Sequence, residues 1–198
     1  MTEYWNHNTA YHPWLLGFAH GRDVLDVGCG DGLLAERLAP VARSVVGIDP
    51  DPEAIRRARA RLAHIDGVSI VQGSFADCAS AGARYDLITF VASLHHLDLR
   101  PALAAARDML RPGGQLAVVG LSANTTVTDW LWSALYLPAV RVGSRWHRET
   151  RDIGVTVASP RENLAEIRRI AAEVLPGVQI RRALYYRYLM QWEKPRDD

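Results

Sequence analysis

Three glycines alternate with other residues in Asp26-Val27-Gly28-Cys29-Gly30-Asp31-Gly32. Glycine lets a backbone turn sharply and lets a ligand approach the main chain closely. A dinucleotide loop wants G-x-G-x-x-G, and its sixth position here is Leu33. Asp26 and Asp31 flank the loop and disfavour a pyrophosphate. A cationic or neutral ligand suits it better. Asp49 follows 21 residues after Gly28, and a carboxylate there can accept both hydroxyls of a ribose. The plainer role for Asp49 is a loop acid or a helix cap, although Asp51 is better placed to cap.

His95 and His96 sit in Ser93-Leu94-His95-His96-Leu97, directly after an apolar run. Histidine accepts protons near neutral pH. The same imidazoles could equally hydrogen-bond backbone at a helix entry. Cys29 and Cys78 are the only cysteines and form no CxxC pair. They read as small packing residues in a reducing compartment, with no structural zinc. Of 23 basic residues only Lys194 is a lysine, so lysine nucleophiles, Schiff bases and P-loop lysines are excluded before it.

The elements that position these residues alternate. Residues 23–27, 44–49, 68–71, 85–91 and 116–120 are apolar strands. Between them, 33–38, 52–63 and 99–110 carry helical patterns, the last closed by Pro112-Gly113-Gly114. This alternation predicts right-handed βαβ units and a parallel sheet covered on both faces. A helix over 161–174 and a strand pair over 178–184 and 187–192 follow. The 198 residues, 48% apolar, suffice for one domain. It divides into an N-terminal lid (1–20), a ligand-binding core (21–121), an insertion (122–160) and a C-terminal helix with a strand pair (161–198). No run approaches the roughly 20 apolar residues of a membrane helix, and no secretory signal precedes the core. A cytoplasmic location fits. The near-neutral net charge of +1 hides a net −3 over 1–140 and +4 over 141–198. Neither half is basic enough to suggest nucleic acid. Arg56, Arg57, Arg59 and Arg61 read as the solvated outer face of a helix whose inward stripe is Ile55, Ala58 and Leu62.

Four motifs in register resemble those of class I S-adenosylmethionine (SAM)-dependent methyltransferases of the small-molecule kind, as in ubiquinone biosynthesis and natural-product pathways. They are Val24–Gly32, Gly47-Ile48-Asp49-Pro50, Tyr85-Asp86-Leu87-Ile88 and Leu110-Arg111-Pro112-Gly113-Gly114. The resemblance implies a Rossmann-like, doubly wound α/β sheet of seven strands, mostly parallel, with the last strand antiparallel. It implies that Asp26 and the backbone of Gly28, Cys29 and Gly30 face the methionine part of SAM. Asp49 would hold the ribose, Pro50 would lie against the adenine, and the backbone near Val91 would meet the amino group. Family members usually carry an acid after strand 3 for the adenine amino group. Here Ser74 and Phe75 stand there, with Asp77 the nearest acid.

The resemblance further implies methyl transfer to a small-molecule hydroxyl, with His95, or else His96, as general base. An RNA or protein acceptor, or a SAM-binding module without turnover, are the alternatives. The Asn/Asp-Pro-Pro-aromatic motif of amino-group methylation is absent after strand 4, and no acid cluster suggests a metal. Substrate-facing candidates are Tyr11 and His12 in the lid, and Asp129, Trp130 and Trp146 in the insertion. The arginines beside Trp146 read either as an anion site or as a solvated face. Oligomeric state leaves no trace in the sequence.

Overall fold

A computed structural model describes residues 4–123, 160–184 and 187–196. The sheet holds β1 (Asp23–Val27), β2 (Ser44–Asp49), β3 (Val68–Gln72), β4 (Tyr85–Val91), β5 (Leu110–Leu121), β6 (Gln179–Arg182) and β7 (Arg187–Glu193). Their order is β3-β2-β1-β4-β5-β7-β6. The first five strands pair in parallel, while β7 runs antiparallel to both β5 and β6. The seven-stranded sheet with a reversed last strand is therefore as expected.

Alternation along each strand divides the core into two layers. Val24, Val45, Leu87, Ala117 and Val119 face α1 (His12–Leu16), α2 (Leu33–Leu38) and the end of α3 (Pro52–Leu62). Leu25, Val27, Ile88, Phe90, Leu116 and Val118 face α4 (Phe75–Ser80), α5 (Leu99–Met109) and α6 (Leu164–Val174). Asp51 caps α3 by accepting from the Glu53 amide, ahead of Pro52 in the first turn.

Several bounds shift from the sequence expectation, and one element is new. α5 ends at Met109, and Leu110 already begins β5, with Pro112-Gly113-Gly114 inside a register shift against β4. The C-terminal helix starts at Leu164, where Asn163 and Glu166 form a capping box. α4 was not anticipated. It buries only Phe75, whereas the equally short α2 buries four residues, so the sequence of α4 shows no apolar stripe. Lys194, the sole lysine, donates from Nζ to the carbonyls of Arg107 and Leu110, at 3.0 and 2.8 Å, closing the end of α5. Tyr188 of β7 lies over Gly120, where a Cβ would fall inside the tyrosine ring.

Candidate active site

The glycine loop leaves β1 at the carboxyl edge of the sheet, where open α/β folds bind ligands. Its amides turn inward. Gly28 and Cys29 donate to the Ile48 carbonyl at 2.8 and 3.0 Å, and Gly32 donates to that of Cys29 at 3.0 Å. Gly30 donates to Asp49 Oδ2 at 2.9 Å. With these donors spent on the protein, the loop offers no nest for phosphate. Gly28 has φ +72°, and a Cβ there would fall on the Cβ of Ser93. Ser93 in turn donates to the Val27 carbonyl at 2.5 Å. The segment after β4 is thus pressed against the loop after β1. Ala92, at the bend, holds a left-handed φ of +53°, the only such non-glycine among the described residues.

Three carboxylates surround the loop. Burial pushes the Asp26 carboxyl up to about 7, and Asp49 adds to the rise, while a hydrogen bond from Thr89 at 2.9 Å opposes it. Asp49 accepts from Gly30 and, through Oδ1, from the Asp51 amide at 2.9 Å. A carboxylate has about four acceptor sites, and these two amides take two of them. Asp31 pairs with Arg61, 2.7 Å away. Burial, with Asp26, Asp49 and Asp31 around it, raises the Cys29 thiol well above its usual range, so Cys29 is no nucleophile.

Arg61 corrects the reading of its helix as a solvated face. Its side chain is 3% exposed and also reaches Glu36 at 2.8 Å and the Asp31 carbonyl at 3.0 Å. The signal was present in the sequence. Position 61 lies three residues beyond Ala58 and beside Leu62, on the inward stripe.

Residues 4–12 run as a strap along the carboxyl edge. The Tyr4 hydroxyl donates to Asp31 Oδ1 at 3.0 Å. Asn8 accepts from Arg187 of β7 at 2.7 and 2.9 Å, and the Tyr11 hydroxyl donates to the Leu184 carbonyl at 2.7 Å. His12 is 4% exposed, and its Nδ1 lies 3.0 Å from Arg37. Burial and Arg37 hold its imidazole down at about 3, so it is neutral. Tyr11 and His12 therefore tie the strap down with their polar atoms.

The remaining candidates sit around this frame. Val91 ends β4, and the next amide, of Ala92, donates to the Val119 carbonyl at 2.8 Å. Pro50 is exposed beside Asp49. Ser74 donates to Asp77 at 2.6 Å and accepts from its amide in a capping box that starts α4. Phe75 is buried, edge-on to Phe90 at 5.3 Å. These side chains start α4 and anchor it to the sheet. His95 and His96 form a 3-10 turn with ring centroids 4.2 Å apart. His95 is half-buried and His96 exposed. Asp129, Trp130 and Trp146 lie outside the described residues.

Relatives settle the family. A family model described as a methyltransferase domain matches residues 24–114. An uncharacterised methyltransferase of Mycobacterium tuberculosis is 34% identical over 201 residues, covering 98% of this chain and 100% of its own. The chain belongs to the class I SAM-dependent methyltransferases. A ubiquinone biosynthesis O-methyltransferase of Azorhizobium caulinodans is 35% identical over 131 residues, which make up 64% of this methyltransferase and 49% of that one. The fold is shared with the N-methyltransferase NodS of Bradyrhizobium japonicum in complex with S-adenosyl-L-homocysteine, at a TM-score of 0.60 and 21% identity over 96% and 89% of the two chains. The cofactor is SAM. The residues present fit a cationic cofactor, since Asp26, Asp31 and Asp49 surround the loop and Arg61 of α3 pairs with Asp31. No described helix is long and apolar enough to cross a membrane.

Proposed function

We propose that this methyltransferase acts on a small-molecule hydroxyl, with His95 as the general base. Bound SAM supplies an activated methyl on a positively charged sulfur. The chain's residues bind, orient and accept a proton. Asp26 and the backbone at Gly28–Gly30 face the methionine end. Asp49 takes the ribose hydroxyls on its two remaining acceptor sites. Pro50 and the backbone of Ser74 and Phe75 border the adenine, and the backbone near Val91 meets the amino group. Tyr11 and His12, with Asp129, Trp130 and Trp146, border the acceptor. All of this belongs to one catalytic domain in the cytoplasm.

One observation carries the reading. The His95–His96 turn begins directly after Ser93, which is pressed onto Gly28. An imidazole is thus brought within two residues of the loop that faces the cofactor. A neutral histidine there can take the hydroxyl proton as the methyl bond forms. The likeness to an enzyme named as an O-methyltransferase supports oxygen as the acceptor atom.

Turnover of His95→Ala and His96→Ala on a panel of phenolic and alcoholic acceptors tests the assignment, with SAM affinity measured by calorimetry. His95→Ala should lose about 10²-fold or more in kcat with SAM binding intact. Near-normal turnover in both variants would overturn the histidine base.

A further inference from the structure

We propose that Thr89 positions Asp26 as a two-state carboxyl, so that uptake of the cationic cofactor expels a proton from it. The inference rests on Asp26 facing SAM, as proposed above.

Asp26 and Thr89 are register partners on adjacent parallel strands, and their side chains share one face of the sheet. Thr89 is fully buried and Asp26 is 2% exposed. The Thr89 hydroxyl has two acceptors in reach, Asp26 Oδ1 at 2.9 Å and the Leu25 carbonyl at 3.4 Å. It has one proton to give and two lone pairs to offer. When Asp26 is ionised, the hydroxyl donates to Oδ1. When Asp26 is protonated, the acid proton is donated to Oγ1, and the hydroxyl proton turns to Leu25. Both states leave every group partnered, so the carboxyl can change charge without stranding a buried atom.

The surroundings favour the neutral form until a cation arrives. Asp49 of β2 is a like charge acting on Asp26. Cys29, in the loop, stays a neutral thiol. Asp31 is already matched by Arg61 of α3. A ligand bearing sulfonium and ammonium charges supplies the missing counter-charge. The Asp26 proton then passes to solvent, and the total charge balances. Burial, with Asp49 adding to it and the Thr89 hydrogen bond opposing it, raises this carboxyl to about 7, in line with the geometry.

Calorimetry of SAM binding at pH 6.5, in two buffers of different ionisation enthalpy, counts the protons released. The wild type should release a substantial fraction of one proton, and Asp26→Asn should release none. SAM affinity should weaken as pH falls through a midpoint near neutrality. Thr89→Val removes the donor and should move that midpoint up by about one pH unit, whereas Thr89→Ser should keep it. A purely structural role for Thr89 would lower stability without moving the midpoint. Equal proton counts in wild type and Asp26→Asn, or an unmoved midpoint in Thr89→Val, would overturn the proposal. Should Thr89→Val not fold, the proton counts decide alone. If the wild type binds no SAM, the cofactor-site reading fails and this inference with it. Binding whose heat is independent of buffer overturns the inference only.

Discussion

Asp49 is fixed before any ligand arrives, because the Gly30 and Asp51 amides each take one of its oxygens. In the proposed role, that pre-ordering would let the two remaining acceptor sites meet a ribose without loss of side-chain freedom. Asp49→Ala removes both the acceptors and the loop's anchor. It should weaken SAM binding by about 10- to 100-fold in calorimetry. Gly28→Ala should be more severe, since it forces a Cβ onto Ser93 at a φ of +72°. SAM binding should then fall below detection while far-ultraviolet circular dichroism still reports the sheet.

Arg61 shows how an element serves the site by bracing its loop. Through this side chain α3 grips both the main chain and the carboxylate of Asp31, next to Gly30. Arg61→Met would leave Asp31 partly buried and unmatched, costing about 3 kcal/mol. The cost would appear as a lower urea midpoint. At the far end of the sheet, Lys194→Met should cost about 1 kcal/mol by uncapping α5. Alternating strands and helices were legible because burial on both faces writes near-continuous apolar runs, as in Leu87–Val91. The glycine loop and Asp49 were legible because backbone constraints and ribose chemistry fix residue types at fixed spacing. The burial of Arg61 was legible from its place on the inward stripe, but its pairing with Asp31 and that of Thr89 with Asp26 were hidden, because partners 30 and 63 residues away give no local signal. The Ser74–Asp77 capping box was equally hidden, because α4 buries only Phe75 and shows no apolar stripe to mark a helix.

Across the molecule, His12 and Asp26 pull stability in opposite directions with pH. His12 titrates at about 3 when folded, against 6.5 for the free group. As pH falls from 6.5 the unfolded chain takes the extra proton, so stability drops. Asp26 titrates at about 7 when folded, against 3.8. As pH falls from 7 to 3.8 the folded chain takes the extra proton, so stability rises. The two contributions oppose each other over most of the range from 6.5 to 3.8. His12→Gln should therefore gain thermal stability relative to wild type as a melting series is taken from pH 7 to pH 4. Asp26→Asn should lose it relative to wild type over the same series. Parallel curves for all three proteins would contradict both assignments.

The strap and the reversed strand also make the two ends of the described chain inequivalent. Tyr4 is hydrogen-bonded to the glycine loop, whereas Lys194 follows β7 down to the opposite edge of the sheet, beside Arg107 and Leu110. A bead or sensor surface coupled near residue 4 would crowd the mouth of the glycine loop at the carboxyl edge of the sheet. Coupled near residue 194, it would leave that mouth facing the solution. An immobilised form for screening methyl acceptors is best attached at the lysine end.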